Sequence, residues 1–374
     1  MCAIPGHAPG QPPTLASAGA DGTIRIWDPA SERAVGQPLI TSPEAVGGLA
    51  PCPAAIADCV TVHGDGTART WTAATATART LTSPPDASAI TTLTTAGHPT
   101  LLTGDIHGQV RLTDLRTGHQ PGPPLRVDNQ AVLALCPLPA QPPAAQAAAA
   151  GGSGAITIIT ISPGGQLAPG PVLPGPPGPI RALCLITSPR GRPLLAAAGN
   201  DATIRIWDLA AIDPGMPGAR PPAAAVTGLL TGHDGWIWSL AAIPAQPGTP
   251  PRLASAGADH TIRLWDPLTG RALGQPLTGH SSTVRAITTA SSDDGQTILV
   301  SGGHDGTIRL WDPATGTPLA VIPLGIPVHA LLQQHPDPQS RERTDGGATI
   351  TAGLRTGILA LDLHHDLFQP QARR

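Results

Sequence analysis

The chain has 374 residues, 40% of them hydrophobic, with 44 Gly, 45 Pro and a formal net charge of −3. That length excludes a single small domain and leaves two or three domains or one large β architecture; the apolar fraction and low net charge exclude a disordered chain, which joins low hydrophobicity to high charge. All 22 basic residues are Arg, so there is neither a phosphate-cradling G-x-x-x-x-G-K-[ST] loop nor a lysine Schiff base, and scattered Arg residues on a slightly acidic chain argue against a nucleic-acid partner.

The first ten residues have no basic stretch followed by an apolar one, and no run approaches the ~18 apolar residues that span a bilayer, so no membrane association is expected. The five Cys have no C-x-x-C spacing, which points to a reducing cytoplasm rather than to a disulfide framework or a zinc site.

In chain order, Gly19-Ala-Asp-Gly-Thr-Ile-Arg-Ile-Trp-Asp28 is the first copy of a repeat. Weaker copies follow at 64–71, 108–114 and 154–160, then near-copies at 199–208, 257–266 and 303–312, and a last weak copy at 357–362. The positions equivalent to Trp27 are Trp71, Thr113, Ile159, Trp207, Trp265, Trp311 and Leu361. Each copy is a tight Asp/Gly turn followed by a short run of Thr, Ile, Val and Trp, the pattern of a strand after a turn. Apolar runs such as Ile237–Ile243 and Arg252–Ala256 precede it, and a turn such as Asp266–Gly270 leads on, so each unit reads as a four-stranded meander. Pro recurs too often for helices of ordinary length. The Pro-rich segments 138–146, 213–222 and 334–343 read as semi-rigid loops.

These residues resemble the WD40 repeat, the four-stranded blade of a β-propeller of the G-protein β-subunit type. Its paired marks stand here as Gly232-His233 with Trp265-Asp266 and Gly279-His280 with Trp311-Asp312. The resemblance implies an all-β fold, a single propeller over residues 1–366 with eight blades favoured over seven and a surplus unit. Third strands would end near 28, 72, 114, 160, 208, 266, 312 and 362, and 367–374 would form a tail or closing strand. Residues 1–4 align with an innermost strand. The expectation is therefore either closure from the C-terminal side, around Leu367-Phe368, or a chain that is part of a longer protein.

The family also implies one buried hydrogen-bond network per blade. Its complete sets are His233, Ser255, Asp259, Trp265 and His280, Ser301, Asp305, Trp311; incomplete ones are Ser17, Asp21, Trp27 and Thr61, Asp65, Trp71. A His, Ser and Asp also compose a hydrolase triad, but a spacing repeated from blade to blade describes scaffolding, whereas an active site is needed once. Cys2, Cys52, Cys136 and Cys184 fall in inner-strand positions of blades 1, 2, 4 and 5 and suit crowded packing near an axis. Neighbours His364 and His365 would point to opposite faces of a strand, against a metal site. No catalytic motif, cofactor, metal or small-molecule substrate is expected.

Function is then expected on the ring's face, as a protein- or peptide-interaction scaffold. Aligned on Val284, the residue after each entering loop is Leu49, Thr91 and Leu133 in blades 2 to 4 but Arg181, Trp238, Arg285 and His329 in blades 5 to 8. With Trp236 and His304 these form a candidate partner-binding patch rich in hot-spot residue types, unless both indoles are wedged between blades as core. Two alternatives are an enzyme using the central channel and the sensor portion of a larger signalling protein, such as a kinase or nucleotide-binding switch.

Overall fold

The computed structural model describes residues 87–140, 144–187, 191–212, 226–246, 249–292, 295–334, 348–354 and 357–363. Before these it describes the strands Cys2–Ile4, Thr14–Ala18, Thr23–Asp28, Arg33–Ile40, Val46–Pro51, Cys59–His63, Ala68–Thr72 and Thr77–Leu81. The described strands form eight antiparallel meander sheets, seven of four strands and one of three. We number them blades 1 to 8. Their first strands are Cys2–Ile4, Val46–Pro51, Ala87–Thr95, Val132–Leu138, Ile180–Thr187, Ile237–Ile243, Val284–Ser291 and Val328–Gln334.

From blade 2 to blade 8 each first strand lies against the first strand of the next blade, while Thr14–Ala18 of blade 1 lies against Gly357–Leu363, the third strand of blade 8. This is a β-propeller with first strands innermost. Apart from one 3₁₀ turn at Leu209–Ala211, the described residues contain no helix. The three strands of blade 8 are Val328–Gln334, Ala348–Leu354 and Gly357–Leu363; the proposed closing segment around Leu367-Phe368 lies outside the described residues, as does His364-His365-Asp366.

Blades 5 to 7 are sandwiched between neighbours, so their second strands are buried on both faces. Pro193–Gly199, Arg252–Gly257 and Thr297–Gly303 are accordingly Ala-, Leu- and Gly-rich instead of alternating. The core is a series of interblade clusters. Trp207 packs among residues of blades 4 and 5, Trp265 among those of blades 5 and 6, and Trp311 among those of blades 6 and 7. Filling the remaining space with Cβ atoms and short aliphatic chains lets sheets stack closely, which explains how a chain with one Phe and no Tyr still builds a core.

Arginine supplies a tie between neighbours. Arg205 on the third strand of blade 5 donates from Nη1 to the carbonyl of Gly175, at 2.9 Å, on the loop leaving blade 4. At the equivalent place Arg263 and Arg309 lie under Gly232 and Gly279, where an added Cβ would meet their Nη1 atoms at 2.9 and 2.6 Å.

A candidate interaction face built on β-bulges

In blade 6 the loop before the inner strand brings His233 over the second strand. His233 Nδ1 lies 2.8 Å from Asp259 Oδ2 and Nε2 lies 2.7 Å from Ser255 Oγ, which also accepts Trp265 Nε1–H at 2.8 Å. Blade 7 repeats this with His280 to Asp305 at 2.9 Å, His280 to Ser301 at 2.8 Å and Trp311 to Ser301 at 2.9 Å. An ionised carboxylate only accepts, so the proton sits on Nδ1 and the hydroxyl donates to Nε2.

Burial works against the charge on Asp259, but the hydrogen bond from His233 and the N–H groups of Asp234 and Thr261 overcome it, holding the carboxyl well below its ordinary range. Asp305 is likewise held low despite burial, by Ser281 N–H, His280 and Thr307. Burial also lowers the His280 imidazole, more than Asp305 raises it. A neutral imidazole clamped on both sides is a scaffold part, and Gly303 makes room for it: a Cβ there would meet His280 Nδ1 and Asp305 Oδ1 at 2.6 Å each. Blade 5 has lost the set. Ala197 stands where Ser255 and Ser301 stand, and Trp207 Nε1 is buried without a partner among the described residues. The side chains of the incomplete sets in blades 1 and 2 lie outside the described residues.

The inner strands of blades 5 to 8 share one backbone feature. Each has a register slip against its second strand, between Ile180 and Ala182, Ile237 and Ser239, Val284 and Ala286, and Val328 and Ala330. The extra residues of these bulges are Arg181, Trp238, Arg285 and His329. A bulge leaves its extra residue out of the ladder and re-aims its side chain, so one backbone device recurring in adjacent blades presents these four side chains at one end of the inner strands. The same slips identify the equivalents in blades 2, 3 and 4 as Gly47, Ser88 and Leu133. Leu49 and Thr91, expected there from the sequence, are instead ladder residues paired with Thr61 and Leu102. Aligning apolar runs miscounted them because the bulged residue carries no mark of its own.

In blades 5 to 7 the bulged residues meet one another. The Arg181 guanidinium lies 4.1 Å from the Trp238 ring centroid and the Arg285 guanidinium 3.5 Å. Trp236, in the loop before the strand and 45% exposed, stands edge-on to Trp238 at 5.6 Å, with Arg181 5.0 Å from its ring. Trp238 is half-buried and its Nε1 has no partner among the described residues. His304 and His329, both exposed, are in edge contact at 5.1 Å.

Burial lowers the Arg181 guanidinium and, together with the charge of Arg181, that of Arg285; burial and the charge of Arg285 lower His304. Arg181, Arg285 and His304 are thus electrostatically coupled in series. Sequence reasoning missed Asn200, whose Oδ1 accepts from Arg181 Nε at 2.6 Å. Its place just before the turn residue Asp201, as His304 stands before Asp305, was the signal.

Cys136 is buried and Cys184 half-buried, both without a disulfide. Burial pushes the Cys136 thiol up to about 12, and burial with the neighbouring Cys136 raises Cys184 further, so neither is a nucleophile. Among the described residues no helix is long and apolar enough to cross a membrane, and no group of three His, Cys, Asp or Glu gathers as a metal site.

The family model described as "WD domain, G-beta repeat" matches residues 9–28, 169–208, 225–266 and 271–312. The chain is 37% identical over 105 residues to a nuclear distribution protein PAC1 of Fusarium vanettenii, covering 26% of this chain and 20% of that one. It is 34% identical over 98 residues to a ribosome biogenesis protein WDR12 homolog of Nematostella vectensis, covering 26% and 21%, and 32% identical over 143 residues to mouse coronin-7, covering 38% and 14%. The chain spans about a fifth of the length of the first two curated relatives it matches. Among solved structures it is similar to the computationally designed Ika8 protein, with a TM-score of 0.66, 21% identity and 93% of both chains covered. The chain carries WD40 repeats at these four places and folds as a β-propeller.

Proposed function

We propose that this propeller is a non-catalytic scaffold that docks an acidic segment of a partner protein across the bulged residues of blades 5 to 8. The observation that carries the reading is the pair of guanidiniums stacked on Trp238. Among the described residues neither Arg181 nor Arg285 is ion-paired with a carboxylate, so positive charge is held partly desolvated at a face that also exposes an indole. Arg and Trp are the residue types that concentrate binding energy at interfaces, and unpaired charge of one sign sets the sign of the partner. The similarity to WD-repeat proteins supports a scaffold role, and the free thiols of Cys136 and Cys184 fit a reducing cytoplasm.

The test compares partners captured by the wild-type chain and by the double variant Arg181→Glu/Arg285→Glu, with melting temperatures confirming that both are folded. Loss of the captured set is expected. Retention of the same partners by the folded double variant overturns the reading.

A further inference from the structure

Resting on that reading of the face, we infer that the Arg181–Trp238–Arg285 cluster seats a phosphorylated side chain of the docked segment, not an ordinary carboxylate. Two observations select this chemistry. Trp238 is already engaged by two guanidiniums, and Arg181 also reaches Trp236. An aromatic site open to a cationic guest keeps its ring face free; here the protein's own cations occupy it, so the guest is an anion.

The number and disposition of donors then separate the anions. A carboxylate offers two oxygens, which one planar guanidinium fork satisfies bidentately, leaving the second cation of this cluster uncompensated. A phosphorylated side chain carries about −1.5 to −2 charge at neutral pH and three acceptor oxygens, enough to bridge both forks. Arg181 is pre-oriented for this. Its Nε is committed to Asn200 Oδ1, which fixes the plane of the guanidinium and leaves its terminal nitrogens to donate. Arg285 has no hydrogen bond to protein among the described residues, and its charge is opposed by that of Arg181; a dianion between them relieves that repulsion. His304 and His329 stand in edge contact at the Arg285 end, where their ring nitrogens add hydrogen-bonding groups beside the cluster. The neighbouring bulges on the blade 4 side present Leu133 and Ser88, which add no charge, so the cluster ends at Arg181.

The probes are N-acetyl phosphoserine amide, N-acetyl aspartate amide, N-acetyl serine amide and inorganic sulfate. Each is titrated at fixed ionic strength and pH 7.5 against the full chain while the indole N–H signals of Trp236 and Trp238 are followed by NMR. Saturable shifts with phosphoserine, at least tenfold weaker binding of aspartate, and no response to serine are expected. Arg181→Gln/Arg285→Gln removes the phosphoserine response, while Asn200→Ala weakens it without changing the melting temperature by more than a few degrees.

Equal binding of aspartate, an equal response to sulfate, or persistence of the shifts in the folded double Gln variant overturns the inference. A second arm separates it from the docking reading. A partner whose capture depends on Arg181 and Arg285 is treated with phosphatase; loss of capture supports a phosphorylated side chain, and undiminished capture overturns it while leaving the docking face standing.

Discussion

Ser301 shows how much one hydroxyl carries in this fold. It accepts Trp311 Nε1–H at 2.9 Å and donates to His280 Nε2 at 2.8 Å, with its residue fully buried. Ser301→Ala strands both rings' polar atoms away from water and costs about 1–3 kcal/mol, which denaturant titration measures. Blade 5 is the natural counterpart. Because Ala197 pairs with Arg205 as Ser301 pairs with Arg309, Ala197→Ser places a hydroxyl beneath the unpartnered Trp207 Nε1. It stabilises the chain by roughly 1 kcal/mol; a lowered melting temperature contradicts that register.

The same network sets a pH response. His280 is lowered from 6.5 in the folded state and Asp305 from 3.8. The unfolded chain therefore takes up a proton at His280 as pH falls below 6.5, and at Asp305 below 3.8, before the folded chain does. Stability from both groups is present above these values and lost on acidification. His280→Gln lowers the melting temperature at pH 7.5 yet flattens its fall between pH 7 and 5 relative to wild type; an unchanged slope places the titration elsewhere.

At the scale of the element, the turns between second and third strands differ in strain although their sequences look alike. Gly306 adopts φ 74° in the turn Asp305-Gly306-Thr307, and the equivalent residues Ala202 and His260 adopt φ 64° each. This left-handed region costs a residue with a Cβ about 1 kcal/mol or more, so Ala202→Gly and His260→Gly each raise stability by roughly that amount, less the entropy glycine adds to the unfolded chain. Thermal melts of the two variants check this, and unchanged or lower midpoints argue against strain there.

The element scale is also where the sequence was most and least readable. Four near-identical Thr-Ile-Arg-[Ile/Leu]-Trp-Asp segments identify the third strands and, through the residues between them, a four-stranded unit and the blade networks. The bulges were not readable, since a single inserted residue shifts register without altering composition; the equivalents in blades 2 and 3 were therefore misplaced at Leu49 and Thr91 instead of Gly47 and Ser88. Stacking of Arg181 and Arg285 on Trp238 joins three blades across more than a hundred residues, so no local pattern announces it, although the recurrence of large or charged residues at one repeat position does.

Over the whole molecule, charge and symmetry are deliberately unlike. The chain carries a net charge of −3, yet one arc of the inner-strand ends gathers two guanidiniums, while the arc formed by Gly47, Ser88 and Leu133 is uncharged. Under the proposed docking, such a dipolar surface steers an acidic segment and orients it along the ring, an effect that weakens as salt shortens the Debye length from about 10 Å at 0.1 M to about 3 Å at 1 M. Because the bulge of blade 4 is built like its neighbours, and its inner strand lies against that of blade 5, the charged arc can be lengthened without altering the fold. Leu133→Arg puts a third guanidinium beside Arg181. An acidic partner that uses this arc then associates up to about fivefold more tightly, the limit set by an exposed ion pair worth ~1 kcal/mol, and with a steeper salt dependence of its association rate. Leu133→Gln serves as the neutral control for lost apolar contact. If Leu133→Arg changes neither affinity nor salt slope while Arg285→Gln weakens both, docking is confined to blades 6 to 8; if neither substitution matters, the charged arc is not where the partner approaches.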